Sequence, residues 1–388
     1  MNDTYITRGR GTLANLINEL ERQQDTKVDF VADARQFGVH FNGDGLMIGG
    51  VDERVREWMP DESGFTRNGL NQFLAKCDPG VPRTFYDKLP QDNITSDFLT
   101  HLFRNSGKRR LFRMLDGKVR AVQSDQYKIV DHIDLAFSAL QTVQAVGGEV
   151  IDCRLTDSEM RISFTTREVA GRVIAGQKEG PAGWQADATF RKMTGLRWGD
   201  YEPPFGSETV HPCISLRNSE TGQGGLHVEM GILESACLNM ALVQKQIAKV
   251  HLGQRMEVGM YEADTREAMG RALIMQVRDV LQRSFNPEWF NKLCAKLNET
   301  ASTEIEHPTS AVMNFAAVHK MPDAQRDKVL QHFLSEAQYN VFQLARAVSR
   351  SAQEFDAGAA TEMEQLAGET MVSALIAKKC DRAEAITR

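Results

Sequence analysis

Apolar positions recur along the chain with two different periods. In "TLANLINELERQQ" (12–24), Leu13, Leu16, Ile17 and Leu20 share a helical face, and Thr12 stands where an N-cap belongs. "KVDFVADARQFGVHFNGDGLMIGG" has short β-like runs, with turns at Asn42–Gly45 and Gly49-Gly50. "TRNGLNQFLAK" and "PRTFYDKL" read as short helices around a "DPGVP" loop. "RRLFRMLDGKVRAVQSDQYKIV" then reads as two strands joined at Asp116-Gly117, a strong two-residue hairpin signal. "DHIDLAFSALQTVQAV" returns to helical spacing, with Ile133, Phe137, Leu140 and Val143 on one face and Gly147-Gly148 as the stop.

"EVIDCRLTDSEMRISFTTRE" reads as a strand pair turning near Thr156 to Ser158. Residues 171–209 are rich in Gly and Pro and read as a long loop with short strands. "HPCISL" and "LHVEMGIL" flank the polar turn "RNSETGQGG" (217–225) as a further hairpin. Ala236, Met240, Val243, Ile247 and Val250 then predict one apolar helix face. Beyond about residue 255 the pattern is helical, in "EADTREAMGRALIMQVRDVLQRSF", "PEWFNKLCAKL", "AQRDKVLQHFLSE", "YNVFQLARAVSRSAQEF" and "TEMEQLAGETMVSALIAKK". The expected fold class is therefore α+β, antiparallel hairpins with packed helices followed by a mainly helical region, because doubly wound β-α alternation is absent. Three units are expected: a mixed segment over 1–100, a central core over 101–253 and a helical region over 254–388.

Composition changes this picture little. No apolar run approaches the roughly 20 residues of a membrane span. "MNDTYITRGRGTLANLINEL" carries no apolar signal core, so a cytoplasmic protein is expected. Six scattered cysteines, none in a CxxC pair, read as reduced buried thiols. A net charge of −6 argues against coating duplex DNA with the whole surface, yet leaves room for a local basic groove.

Several chemistries are missing their parts. Gly107-Lys108 and Gly117-Lys118 are followed by Arg and Val, so no P-loop is present. "HVE" (227–229) resembles half of a zinc deaminase site, but the downstream paired cysteines are absent. Alternation places His227 and Glu229 on the outer face of a half-buried strand. With HExxH and GxSxG also missing, no cofactor, no metal and no enzymatic activity are expected. Cys237 reads as a small buried thiol.

What is present is charge of one sign. "RNSGKRRLFRMLDGKVR" (104–120) holds Arg104, Lys108, Arg109, Arg110, Arg113, Lys118 and Arg120 against Asp116 alone. Alternation sets Arg110, Phe112 and Met114 on one side of a strand and Arg109, Leu111 and Arg113 on the other. Cations interleaved with an aromatic ring suit single-stranded nucleic acid, which needs charge for phosphates and ring faces for bases. The same residues equally fit a solvated edge hairpin whose cations discourage edge pairing. "FRKMTGLRW" adds a weaker patch, Arg191, Lys192, Arg197 and Trp198, which also fits ordinary loop surface.

Two stretches carry a family resemblance. "LDGKVRAVQSDQYKIVDHIDLAFSAL" (115–140) and "HPCISLRNSETGQGGLHVEMGILESACLNMAL" (211–242) resemble signatures of the phage- and plasmid-like domain-of-unknown-function family. "NGLNQFLAKCDPGVPRTFYDKLP" resembles its upstream helix and turn, so the likeness spans roughly residues 65–250. "NSETG" stands where "NSHDG" is commoner, and that His-to-Glu change counts against metal or acid–base chemistry at the turn, while "ESACLN" lacks the family's usual Arg and so carries over no role for it. The layout is more distantly similar to single-strand annealing recombination proteins.

That resemblance implies a phage or mobile-element protein, in the cytoplasm of a bacterial host. It would bind single-stranded DNA and anneal strands without ATP, as a homo-oligomeric ring or filament, beside phage or host recombination or replication proteins. The expected nucleic-acid contacts are Lys108, Arg109, Arg110, Phe112, Arg113, Lys118, Arg120, Tyr127, Lys128, Arg191, Lys192, Arg197, Trp198 and Arg217. Asn218 and Ser219 are expected to bond the local backbone, while Gly222, Gly224 and Gly225 supply positive φ or close approach. The turn is expected to bring Arg217 to the edge of the basic hairpin's own sheet. The alternative is a non-enzymatic assembly protein acting on a host or phage partner through its helical C-terminal region.

Overall fold

Asp116 and Gly117 both hold positive φ, 52° and 72°, and turn one strand into the next as the Asp-Gly pair predicts. The computed structural model describes residues 4–6, 12–59, 62–127, 129–174, 207–234, 240–249, 263–336 and 338–382. Within these the chain is mixed α+β, with antiparallel sheets and a helical C-terminal region. The N-terminal half runs β1 (Thr4–Ile6), α1 (Leu13–Thr26), β2 (Val28–Asp33), β3 (Phe37–Asn42), β4 (Gly45–Gly50), α2 (Glu53–Arg56), α3 (Arg67–Lys76), α4 (Arg83–Tyr86), α5 (Asn93–Asn105), β5 (Arg109–Leu115), β6 (Lys118–Ser124) and α6 (His132–Ala145). Strands β7 (Gly148–Thr156), β8 (Met160–Thr166), β9 (Gly171–Ile174), β10 (Ser207–Asn218), β11 (Leu226–Glu234) and β12 (Met240–Lys249) follow. The C-terminal helices are α7 (Ala263–Ser284), α8 (Pro287–Ala301), α9 (Pro308–Val318), α10 (Asp323–Leu334), α11 (Val341–Ser351), α12 (Ala357–Val372) and α13 (Leu375–Cys380).

Among the described residues there are three sheets. The largest has the order β1-β7-β8-β10-β11-β12, with β9 on the early part of β10. A three-stranded sheet has the order β2-β5-β6, and β3 pairs with β4. Hydrogen bonding between β2 and β5 spans residue 100, so the expected first and second units share a sheet. Thr12 caps α1, its hydroxyl accepting from the Asn15 N–H at 3.2 Å.

One face of the large sheet is apolar. Ile162, Phe164, Ile214, Leu216 and Val228 pack beneath Leu16 and Leu20 of α1, Leu135 and Ala139 of α6, and Val277 and Leu281 of α7. Phe30, Phe37, Phe73, Phe103 and Phe112 form a second core beside the three-stranded sheet. The C-terminal helices build a third around Phe290, Phe315, Phe333 and Phe342, and this core takes in Val173, Val210, Ile232 and Ala241 of the sheet and partly buried neighbours such as Val243.

The helix expected over 236–250 is instead strand where it is described: Met240–Lys249 pairs antiparallel with β11. Met240, Ala241 and Leu242 are all buried, so this short apolar run is covered on both faces. Such a run fits helix and strand spacing alike, and pairing with β11 decides between them. A further helix, Pro308–Val318, lies where the periodicity predicts none, because it is apolar nearly all round and has no stripe; its signal is Pro308 in the first turn. The expected helix over 361–379 breaks at Ser373 into α12 and α13. No helix among the described residues is long and apolar enough to cross a membrane.

Candidate nucleic-acid interface and the buried clasp beside it

Strand β5 is the middle strand of its sheet, bonded to β2 on one side and β6 on the other. Strand β5 is therefore not a solvated edge, while β6 is the sheet's outer strand, buried from Val119 to Gln123. The core-facing side of β5 carries Phe112, fully buried, with its ring 4.3 Å from Phe37 and 5.4 Å from Phe30. Phe112 is thus a core residue and offers no face to a base. The opposite side carries Arg113, also 0% exposed.

Arg113 is buried because each of its nitrogens is used. Nε and Nη2 donate to the carboxylate of Asp29, its cross-strand partner, at 3.0 and 2.7 Å. Nη2 also reaches Asp131 at 3.1 Å, and Nη1 donates to the Glu220 carbonyl at 2.7 Å. Arg120 sits where the β5–β6 register shifts, between the pairs Arg113↔Ala121 and Met114↔Val119. As the extra residue of a bulge it leaves simple alternation, and its guanidinium bonds the Glu220 carboxylate. Lys27 completes the group with an ion pair to Asp131 at 2.9 Å. Three cations, Lys27, Arg113 and Arg120, face three carboxylates, Asp29, Asp131 and Glu220. The cluster is balanced within the protein and leaves no net charge for a phosphate.

Glu220 comes from the 217–225 turn, which is the other half of this clasp. Its carboxylate also accepts the His132 backbone N–H at 2.6 Å, at the N-terminus of α6, where a helix favours negative charge. Burial alone would raise the Glu220 carboxyl; His132, Arg120, Arg113 and Lys27 outweigh burial and hold it well below the usual carboxylate range. Burial pushes the His132 imidazole down to about 4, so the ring is neutral near pH 7. Asn218 donates from Nδ2 to the Val130 carbonyl and pairs with His132 Nδ1, each at 2.9 Å. Its bonds are thus to a distant segment, and only Ser219 bonds locally, accepting the Gln223 N–H at 3.1 Å. Gly222 holds φ +74° against Gln123, whereas Gly224 and Gly225 hold no positive φ. Gln223 bonds Asn68, Gln72 donates to the Thr221 carbonyl, and the Tyr127 hydroxyl donates to the Ser219 carbonyl at 3.1 Å. Tyr127 is partly buried in the clasp, and burial pushes its hydroxyl up to about 12.

Arg217 belongs to the large sheet and not to the hairpin's sheet. It pairs with Glu229 at 3.2 Å and Glu159 at 3.4 Å. Glu229 is itself only 2% exposed, because α12 covers this face and Gln365 donates to it at 2.7 Å. The expected solvent-facing position of Glu229 is corrected by that cover. Next to it, Arg154, Arg161 and Arg217 align across three strands. Glu364 of α12 bridges the first two, at 3.4 Å from Arg154 and 2.5 Å from Arg161.

The hairpin's remaining cations are exposed. Lys108 and Arg109 face solvent at the start of β5, Arg110 is half-buried, and Lys118 is exposed at the far turn. Lys76, at the end of α3, joins the near group: burial, then Arg110 and Lys108, press its ammonium pKa downward. Burial likewise lowers Arg110, with Asp125 acting against it, and the Arg110 Nε has no hydrogen-bond partner among the described residues. Lys76, Lys108 and Arg110 form no ion pair among those residues. Sequence reasoning missed Lys76, which sits inside an ordinary helical pattern. Lys128, Arg191, Lys192, Arg197, Trp198 and Cys237 lie outside the described residues. No group of three or more His, Cys, Asp or Glu suited to a metal occurs among the described residues. No family model, curated protein or solved structure matches the chain.

Proposed function

We propose that the chain binds single-stranded DNA through the cationic end of the β5–β6 hairpin and acts without ATP, promoting strand annealing as an oligomer. The observation that carries the binding step is the convergence of Lys76, Lys108 and Arg110, like charges that form no ion pair among the described residues and are opposed only by Asp125 near Arg110. Like charges in one place disfavour the free protein, and an anionic backbone relieves that repulsion. Arg109 extends the exposed surface on the same strand. Annealing, oligomer formation and a phage or mobile-element setting are supported by the sequence resemblance. The reading is non-enzymatic, and Phe112, Arg113, Arg120 and Arg217 have no part in it.

Fluorescence anisotropy with a labelled oligothymidylate tests this. Binding should weaken with salt at a slope of about −0.7 per neutralised phosphate, and replacing Lys108 and Arg110 by Ala should lower that slope by about two such increments. Absence of binding at low micromolar protein and ~50 mM salt would sink the idea. A second reading is assembly through the helical region, where Met275, Val318 and Leu375 stand exposed on three separate helices. Pull-down with and without residues 263–382 separates the two.

A further inference from the structure

The junction of α7 and α8 holds a depression of about 430 Å³ over the apolar face of the large sheet. That size lies in the range of small-molecule sites. Met230 of β11 and Val280 of α7 supply apolar lining, and the partly buried Trp289 adds an aromatic surface. Arg283 and Lys292 also line it; both are exposed, and neither forms an ion pair among the described residues. Ser284 does not compete for a ligand, since its hydroxyl donates to the Val280 carbonyl at 2.6 Å. One carboxylate, Glu288, shares the lining, so the two cations leave a net positive charge.

An apolar floor, an aromatic ring and unpaired cations at one opening are complementary to a flat heterocycle joined to an anion. We propose that this depression takes one nucleotide, its base against Trp289 and its phosphate between Arg283 and Lys292. A base offers a π-face to the indole whatever its identity, so recognition is by stacking and charge, with little preference among bases. The nucleotide can come from a single strand or be free. In the first case the site deepens the strand-binding reading and rests on it; in the second it stands alone. A strand seated here would have its phosphates held at a second place besides the Lys76, Lys108 and Arg110 group.

The test uses the full chain and two probes, thymidine 5′-monophosphate observed by saturation-transfer NMR and an oligothymidylate followed by anisotropy. Arg283→Ala with Lys292→Ala removes exposed groups and so should leave the fold intact, which circular dichroism checks. The expected result is that the double variant loses the mononucleotide signal and binds the oligonucleotide about five- to tenfold more weakly. Trp289→Phe, which retains a ring, should keep most of both. If the wild type gives the mononucleotide signal but binds no strand, the pocket stands as a free-nucleotide site and the strand-binding reading falls. If the folded double variant matches the wild type with both probes while Lys108→Ala with Arg110→Ala loses the strand, the pocket proposal is overturned and the hairpin reading stands. Silence of the wild type with both probes overturns both.

Discussion

The two ends of one hairpin behave oppositely. At one end Arg113 and Arg120 are buried and spent on Asp29, Asp131 and Glu220. At the other, Lys108, Arg109 and Arg110 emerge beside Lys76 and form no ion pair among the described residues, Asp33 opposite Arg109 and Asp125 near Arg110 acting only at longer range. The residues are of the same type, a few positions apart. What separates them is whether a carboxylate from elsewhere in the chain comes within bonding distance of the guanidinium. A buried guanidinium is tolerated only when paired and hydrogen-bonded, whereas an exposed one stays hydrated and remains open to a ligand. A dense run of arginine in a sequence is therefore a mixture of clasp and contact surface until its acids are located.

The sharpest way to break this contrast is to remove the shared acid. Glu220→Ala leaves Arg113 and Arg120 short of a partner in a buried site and should cost about 3–5 kcal/mol, read as a lower urea midpoint. An unchanged midpoint would mean the clasp is not a stabilising unit. Next in size is a pH effect. His132 is neutral in the fold, with its imidazole pushed down to about 4 from 6.5, so the unfolded chain binds the proton more readily. Its contribution is complete above pH 6.5 and is lost as pH falls toward 4, a loss of about 3 kcal/mol. Urea melts of His132→Asn across that interval should show a shallower decline than the wild type; parallel declines would count against a buried neutral ring. The smallest effect belongs to the exposed end. Lys108→Ala with Arg110→Ala should change stability by no more than about 0.5 kcal/mol while weakening oligonucleotide binding. A large stability loss would show that this end, too, is structural.

Much of the fold was legible because its signals are local. The Asp116-Gly117 turn and the Thr12 cap each depend on neighbours a few residues away. The α6 stripe was legible only in part, since Leu140 and Val143 are buried with Leu135, Ala136 and Ala139, whereas Phe137 is 42% exposed. The strand over 240–249 was not, since a short apolar run buried on both faces carries no period of its own. The burial of Arg113 and Arg120 was hidden for a related reason. The acids that neutralise them lie in β2, before α6 and in the 217–225 turn, far apart in sequence. Two traces of it were present. Asp29 stands within an apolar β-like run, and "NSETG" places a carboxylate where the resembling family has an imidazole.

The 217–225 turn also has a temporal meaning. Its bonds to Arg113, Arg120 and His132 span 107, 100 and 88 residues of chain, and those to Asn68 and Gln72 span 155 and 149. Closing loops of that length carries an entropic cost that only existing partners repay, so the three-stranded sheet, the large sheet and the start of α6 must already be in place. The turn therefore closes after the elements it joins, while the contacts of α12 with Arg154 and Arg161 close over still wider spans of 210 and 200 residues. Weakening the turn should appear in the unfolding rate and leave the folding rate almost untouched.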